Sequence, residues 1–322
     1  MYLVHITSSC YHGQDGKCKV LKYDFGQRAL VGKVCMDRNN SVKHYKETSQ
    51  ESQEETCRFI AELLNKKYPR VKPVVTPRFA PSCTGALLGQ LGAIAKNNNL
   101  HIQSHISENV EEVKLVKDMF PESESYTHIY HKYNLLTDKT VMAHGCYLSD
   151  EELNLFRETG ASLSHCPNSN ISLCSGILNV RNVLKHKVKL GLGTDVAGGY
   201  SASMLDAVRR ALDSSKVLTI QDPEHETLTF EEVFRLATLG GSQGITLTTQ
   251  YINNPAVTQK QRHCVELTTK KLVSPCLSLS LSQVSCLSWS VIANFKIVCD
   301  DRNIVEVFVA GRKVVPFTDK NE

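Results

Sequence analysis

Three residues of types that commonly bind metal ions follow short apolar runs of the chain. His105, His144 and Asp195 each come within three residues of the end of a strand-like run of four or five residues. In a parallel β/α barrel the carboxyl ends of the strands meet at one rim, and that rim holds the active site. We therefore expect these three side chains to converge.

The chemistry of these residue types is that of a hydrolytic metal site. Histidine and aspartate bind zinc, and a hydrolytic zinc keeps one position open for water. Glu108, three residues after His105, is a carboxylate that could move protons beside that water. Arg78, which follows another strand-like run, offers a charged hydrogen-bond donor. His105 and Asp195 by themselves, however, would make a weak metal site.

Each of these residues also has a structural interpretation. A single histidine after a strand is more often a hydrogen-bonded structural residue, by roughly 3:1. Asp195 could form a turn or cap a helix, Arg78 could form a surface ion pair, and Glu108 could cap the next helix. The recurrence at successive strand ends favours a site, because unrelated structural residues have no reason to select the same rim.

Other groupings are weaker candidates. His101 and His105 lie on one strand-like run, where side chains four residues apart are separated by roughly 13 Å. The sequence Ser164-His165-Cys166 has no Gly-x-Ser-x-Gly elbow nearby, so we interpret it as the end of a strand and a loop rather than a nucleophile with its base. We interpret Gly198-Gly199 as a flexible loop.

Alternating strand-like and helix-like segments must position these residues. The predicted strands are residues 2–6, 29–35, 72–76, 100–104, 140–143, 161–164 and 188–192. The predicted helices are residues 52–68, 109–120, 203–212 and 230–239, with a further helix headed by Ser149 and Glu152, which form a capping-box pattern. Repeated β/α units predict a parallel sheet with right-handed crossovers. Seven strands favour a barrel over a doubly wound sheet, although periodicity alone does not decide between them, and a (β/α)8 barrel needs eight strands.

The carboxyl-terminal part of the chain has a different pattern. We predict a barrel over residues 1–243, a divergent and poorly ordered segment over 244–290 with a Ser/Leu-rich tract, and a small β unit over 291–322. Residues 304–309 and 313–315, with Ala310-Gly311-Arg312 between them, are typical of a hairpin.

Composition restricts the class of protein. The 322 residues are 41% hydrophobic and 22% charged with a net charge of +4, which is ordinary for a globular protein. No long basic run indicates nucleic acid or a membrane surface as a partner, and no signal sequence or apolar run of about 20 residues is present. We therefore expect a cytoplasmic protein whose 12 cysteines are free thiols.

Four strings resemble the amidohydrolase superfamily, in its branch of nucleobase deaminases and chlorohydrolases. They are Ser104-His105-Ile106-Ser107-Glu108, Met142-Ala143-His144-Gly145-Cys146, Ser164-His165-Cys166-Pro167-Asn168-Ser169-Asn170 and Gly191-Leu192-Gly193-Thr194-Asp195. Thr76-Pro77-Arg78-Phe79 further resembles the members that act on guanine. The resemblance runs from about residue 25 to 243 and returns near 300–317. It implies an α/β fold, an incomplete (β/α)8 barrel of the TIM type, with a remnant of a small β-sandwich at the C-terminus.

The resemblance also implies roles. His105 and Asp195 would bind one Zn²⁺, Glu108 would shuttle protons, and His144 would orient the attacking hydroxide. Arg78 and Phe79 would contact the purine, with His105 and Asp195 also facing it and Asp195 taking part in catalysis. The implied reaction is hydrolysis of guanine to xanthine and ammonia by a zinc-bound hydroxide, a step of purine catabolism. A homodimer is implied in the same way.

The chain departs from the family in one respect that bears on activity. The family's first strand supplies two zinc ligands from a His-x-His pair, and no His-x-His occurs in these 322 residues. The resemblance therefore predicts that residues 2–6 correspond to the second strand and that the first is missing. Three hypotheses remain: a zinc-dependent deaminase of guanine, a catalytically impaired remnant that binds a purine or a protein partner, and a deaminase of another aminated heterocycle.

Overall fold

The computed structural model describes residues 29–38 and 47–245, together with four short strands nearer the C-terminus. The described part is built around a parallel sheet in which the first two short strands both pair with the third, and each later strand pairs with the next strand along the chain. The strands of this sheet are β1 (Ala29–Val31), β2 (Val34–Cys35), β3 (Val71–Pro77), β4 (His101–Ile106), β5 (Thr140–His144), β6 (Ser162–His165) and β7 (Lys189–Leu192). The sheet curls into part of a barrel, which confirms the predicted incomplete TIM-type fold. The predicted strand 2–6 lies outside the described residues.

The predicted strand 29–35 is interrupted in the structure. Both β1 and β2 pair in parallel with β3, but Gly32 and Lys33 between them leave the ladder. A Cβ on Gly32 would lie 2.0 Å from Oγ1 of Thr76, so the backbones approach closely there. The Lys33 ammonium turns aside to the Glu47 carboxylate, 2.7 Å away. The other described strands match their predicted positions to within about two residues.

Helices follow the strands. They are α1 (Ser49–Asn65), α2 (Gly85–Asn97), α3 (Val110–Met119), α4 (Tyr126–Lys132), α5 (Asp150–Thr159), α6 (Pro167–Ser172), α7 (Val180–Lys185), α8 (Met204–Gln221), α9 (Phe230–Arg235) and α10 (Gly241–Gly244). All but α6 and α10 of those described begin at a side-chain cap. The predicted capping box of Ser149 and Glu152 begins α5 and is confirmed. The predicted helix 230–239 changes to a π-helical turn at Leu236–Gly240, which leads into α10.

The hydrophobic core lies between the sheet and these helices. Its largest completely buried side chains come from both layers: Leu87, Leu88, Leu91, Ile102, Ile106, Ile129, Tyr130, Met142, Phe156 and Leu163. Burying one such aliphatic side chain stabilises the fold by about 1.5–3 kcal/mol. This rigid layer fixes the strand ends that carry the candidate site.

Near the C-terminus, four strands form a separate antiparallel sheet. They are β8 (Val265–Thr268), β9 (Ser278–Leu279), β10 (Ile304–Val309) and β11 (Arg312–Val315), in the order β11-β10-β8-β9. The predicted hairpin is confirmed, but Arg312 lies in the second strand, paired with Val309, rather than in the turn. The prediction that residues 244–290 are poorly ordered falls mostly outside the described residues.

Among the described residues, no helix combines the length and the apolar character needed to cross a bilayer. The cysteines described are all unpaired: Cys35, Cys57, Cys83, Cys146, Cys166 and Cys174.

Candidate metal centre and active site

His105 lies near the carboxyl end of β4, and both its ring and its backbone carbonyl are hydrogen-bonded. Its ring Nδ1 lies 2.6 Å from the carbonyl oxygen of Arg78, so Nδ1–H donates and Nε2 keeps its lone pair. Its own carbonyl accepts from the buried Tyr130 hydroxyl at 2.8 Å. Burial, followed by the neighbouring His144, lowers the pKa of His105. A neutral ring with a free Nε2 is the form that binds a metal ion.

His144 ends β5 and has a backbone φ of +74°, in the left-handed region that non-glycine residues seldom adopt. Its side chain is 1% exposed, and its Nδ1 lies 2.8 Å from Oδ1 of Asn170. The other nitrogen, Nε2, is buried and has no hydrogen-bond partner among the described residues. It lies 3.7 Å from Oε2 of Glu108 and 3.8 Å from Oδ2 of Asp195.

Asp195 follows β7 on a tight loop. Its φ is +47°, and its carbonyl accepts from the Gly199 amide at 2.7 Å. A Cβ on Gly198 would lie 2.7 Å from Oδ2 of Asp195 and 2.7 Å from Oγ of Ser169. Gly198 is therefore a site of close approach to the carboxylate, rather than the flexible joint that the sequence had indicated. The next helix, α8, is capped by Ser203, so Asp195 is no helix cap.

Together these three residues form a candidate metal centre. One ligand atom from each of His105, His144 and Asp195 lies within 4.8 Å of the other two. The rings of His105 and His144 stack with centroids 5.4 Å apart. Separations of 3.7–3.8 Å around His144 Nε2 are too long for hydrogen bonds but leave space for a cation between a lone pair and two carboxylates. The donor chemistry of this cluster fits zinc.

Glu108 faces the same space. Its Oε1 accepts from the Ser175 hydroxyl at 2.7 Å, which leaves Oε2 turned toward His144. The helix cap of α3 is Asn109, so Glu108 does not have that structural role. The backbone amide of Glu108 donates to Glu112, a buried carboxyl whose pKa is raised, first of all by burial.

Arg78 and Phe79 lie beside His105. Phe79 forms an isolated parallel bridge with His105, and the Arg78 amide donates to the carbonyl of Cys35 at the end of β2. The Arg78 guanidinium is exposed and lies 5.1 Å from the centroid of the Phe79 ring. These two residues therefore present an aromatic face and a charged donor at the rim.

His101 lies at the opposite end of β4. Its Nε2 is 3.0 Å from the carbonyl oxygen of Ile245, so the predicted separation of His101 from His105 agrees with the strand geometry. His165 at the end of β6 is completely buried, and within the part of the chain that the structure describes neither ring nitrogen has a hydrogen-bond partner. Burial, followed by His144, lowers its pKa to about 3.

The sequence analysis assigned no role to several polar residues that hold the centre. Asn170 and Ser175 contact His144 and Glu108, and Asn168 accepts from the amide of Tyr200 beyond the Asp195 loop. Asn168 lies three residues past β6, as Asp195 does past β7, so the strand-end rule could have selected it, whereas Asn170 lies five residues past β6, within α6. Ser175 had no such signal, because it lies beyond α6.

A parallel β/α sheet with a His/Asp cluster at the carboxyl ends of its strands defines the class of barrel hydrolases. The chain belongs to the amidohydrolase family, whose model matches residues 6–251. This finding confirms the superfamily that the four strings had indicated.

The chain is 56% identical to the guanine deaminase of Mus musculus over 317 residues, which cover 97% of this chain and 69% of that protein. The crystal structure of guanine deaminase from C. acetobutylicum with bound guanine in its active site matches with a TM-score of 0.78 at 29% identity. The matched region covers 91% of this chain and 67% of the C. acetobutylicum chain. An adenosine deaminase from Xanthomonas campestris with bound zinc shares the fold, with a TM-score of 0.69 at 20% identity over 90% of this chain and 61% of its own. The predicted resemblance to the proteins that act on guanine is thus confirmed.

Proposed function

We propose that this site hydrolyses guanine to xanthine and ammonia. The observation that carries the proposal is the convergence of His105, His144, Asp195 and Glu108 in a chain 56% identical to a guanine deaminase. The overall change is balanced without an oxidant or reductant. Water supplies the oxygen that forms the new C–O bond, the exocyclic C–N bond breaks, and the amine leaves as ammonia.

His105 and Asp195 are the residues that would hold one Zn²⁺, and a structural neighbour solved with zinc supports this choice of metal. Bound there, zinc would act as a Lewis acid and make water a better nucleophile. The hydrogen bond from His105 Nδ1 to the Arg78 carbonyl leaves Nε2 as the metal-binding atom.

Glu108 would transfer protons, and His144 would orient the attacking water. Ser175 holds Oε1 of Glu108, so Oε2 is the oxygen free to take a proton from water and deliver it to the substrate. His144 Nε2 presents a lone pair to the same space, where it would accept a hydrogen bond from the attacking water and orient it. Its burial keeps bulk water from competing for that bond.

Arg78 and Phe79 would select the substrate. The exposed guanidinium would donate to the guanine carbonyl, a charge-assisted bond, and the Phe79 ring offers a face on which a purine can stack. A base without that carbonyl would leave Arg78 unpaired, which favours guanine over adenine.

The test is xanthine formation by purified residues 1–322 supplied with zinc, with adenine as an alternative substrate. We expect activity on guanine that Glu108→Gln lowers by about 100-fold or more. The matched control is Glu111→Gln, an exposed glutamate on α3, which should retain activity. Equal rates in the Glu108→Gln variant and the parent protein, both well above the rate without enzyme, would contradict the assignment of the proton shuttle.

The sequence also favours a second candidate, a purine-binding protein with little turnover. These 322 residues contain no His-x-His pair, and His105 with Asp195 forms a weak zinc site by itself. In that case guanine would bind, zinc content would be well below one per chain, and xanthine would form no faster than in the Glu108→Gln variant. Stoichiometric zinc with brisk turnover would exclude this candidate.

A further inference from the structure

Asn170 connects the candidate catalytic histidine to a buried network. The residue is 1% exposed, and its amide makes two contacts. Oδ1 lies 2.8 Å from Nδ1 of His144, and Nδ2 donates to Sγ of Cys146 at 3.2 Å. Because the amide nitrogen is turned toward the sulfur, the oxygen faces the ring.

This orientation determines where the His144 ring can carry its proton. A carbonyl oxygen only accepts hydrogen bonds, so Nδ1 of His144 must be the protonated nitrogen of the neutral ring. Nε2 is then unprotonated and faces the Glu108 and Asp195 carboxylates at 3.7 and 3.8 Å. The opposite tautomer would place an N–H at Nε2 and two lone pairs against each other at the Asn170 contact.

The position of Asn170 is fixed by the chain around it. The backbone N–H of Asn170 donates to the carbonyl of Cys166, and the backbone carbonyl of Asn170 accepts from the backbone N–H of Ser175 at 2.8 Å. The Ser175 carbonyl in turn accepts from the Tyr147 hydroxyl at 2.8 Å. The same short segment therefore places Asn170 against His144 and Ser175 against Glu108, with little freedom for either to turn away.

We propose that Asn170 is a positioning residue that holds His144 in the Nδ1-protonated tautomer and so keeps Nε2 available to the reacting water or to a metal ion. The inference rests on the role proposed for His144, but its test does not require turnover. Cys146 supports Asn170 by accepting the hydrogen bond of its Nδ2. Burial, followed by the nearby Glu108, raises the pKa of the Cys146 thiol to about 12.

The experiment is nitrogen-15 NMR of the histidine rings of residues 1–322, without metal, at a pH where the rings are neutral. We expect His144 Nε2 to give the signal of an unprotonated ring nitrogen. His101 is the internal contrast, because its Nε2 donates to the Ile245 carbonyl and should give the signal of a protonated nitrogen. A protonated Nε2 on neutral His144 would overturn the inference with no variant needed.

Two substitutions then separate positioning from packing. Asn170→Asp keeps an acceptor at Nδ1 and should preserve the His144 signal. Asn170→Leu removes the acceptor at similar size and should shift a large part of the population to the Nε2-protonated form, with His101 unchanged. If the leucine variant does not fold, Asn170→Ser replaces it, because the shorter side chain loses the contact without adding an apolar group. An unchanged His144 signal in the folded leucine or serine variant would show that Asn170 does not set the tautomer.

The NMR experiment uses neither zinc nor guanine, so failure of the proposed deamination would not change what it shows about the His144 tautomer. A wrong tautomer would refute the inference about Asn170 alone.

Discussion

The two ends of the parallel strands differ in how their polar side chains are hydrogen-bonded. At the amino-terminal end, the polar side chains are paired with backbone groups. His101 contacts the Ile245 carbonyl, Ser162 donates to the carbonyls of Thr140 and Gly244, and Lys189 donates to the carbonyl of Gly160. Each of these contacts ties a strand to a neighbouring strand, helix or loop, so this end serves stability.

At the carboxyl end some polar atoms are paired, such as His105 Nδ1 with the Arg78 carbonyl, but five buried ones lack hydrogen-bond partners among the residues that the structure describes. They are Oγ of Ser107, Nε2 of His144, both ring nitrogens of His165 and Oγ of Ser169. Leaving such an atom unpaired costs about 1–3 kcal/mol, so a fold keeps several of them together only where they serve another purpose.

The backbone shows the same contrast. Near the starts of strands, positive φ values fall on Lys67, Asn99, Asn134 and Lys187, where helices end and such values are ordinary. Past the ends of strands they fall on Ser107, His144 and Asp195. Strain at these positions turns two of the candidate site residues toward one point. The difference teaches that one rim of this sheet is built for stability and the other for binding and chemistry.

The largest effect that would sharpen this contrast comes from Asp195. Asp195→Asn removes the charge from the cluster, and we expect zinc affinity to fall by more than about 100-fold, since loss of an outer partner alone costs 10–100-fold. Titration with zinc measures it. The matched control is Asp213→Asn on the surface of α8, which should bind as the parent does. Equal affinity in both variants would contradict the metal centre.

The next effect concerns pH and His165. Its folded pKa is lowered to about 3, below the unfolded value near 6.5, so below about pH 6.5 the unfolded chain binds the extra proton. Stability is therefore lost as the pH falls, by up to about 1.4 kcal/mol per pH unit. We expect His165→Gln to lose less than the parent between pH 7 and 5 in urea unfolding. The control is His131→Gln at an exposed position of α4; identical slopes for all three proteins would refute this account.

A smaller effect is expected from Gly198→Ala. The new Cβ would meet Oδ2 of Asp195 at 2.7 Å and must displace the carboxylate or the loop. We expect zinc affinity to fall about tenfold, since overpacking typically costs 1–3 kcal/mol. Gly89→Ala in α2 is the control, because its Cβ would meet the Tyr133 ring at an ordinary 3.6 Å. Unaltered zinc binding in Gly198→Ala would show that the loop accommodates the added Cβ without displacing the Asp195 carboxylate.

The smallest effect compares two histidines of one strand. His101→Asn removes the hydrogen bond to Ile245 and should lower the free energy of unfolding by about 1 kcal/mol without changing zinc affinity. His105→Asn removes the hydrogen bond to the Arg78 carbonyl and should lower stability by a similar amount, but it should also weaken zinc binding. Urea unfolding and zinc titration on both variants check this. Zinc binding that depends equally on both histidines would break the distinction between the two rims.

Much of the fold followed from local pattern. The alternation of apolar runs with capped helices predicted the parallel sheet. The period of a strand or helix and the cap of a helix depend on residues that are close together in the sequence. The same rule placed His105, His144, Asp195 and Glu108 on one rim, since parallel strands must present the same end together. The break at Gly32 was missed, because it depends on how closely that backbone approaches Thr76 on another strand.

The sequence by itself therefore determined the fold class, the family and the rim that carries the chemistry. Only the tertiary structure decided which side chains hold that chemistry in place: Asn170 on His144, Ser175 on Glu108, and Gly198 against Asp195. These contacts join residues 3 to 67 positions apart. No local period encodes these contacts, because two of them join segments that follow different strands and the third depends on how the loop after β7 folds back on Asp195.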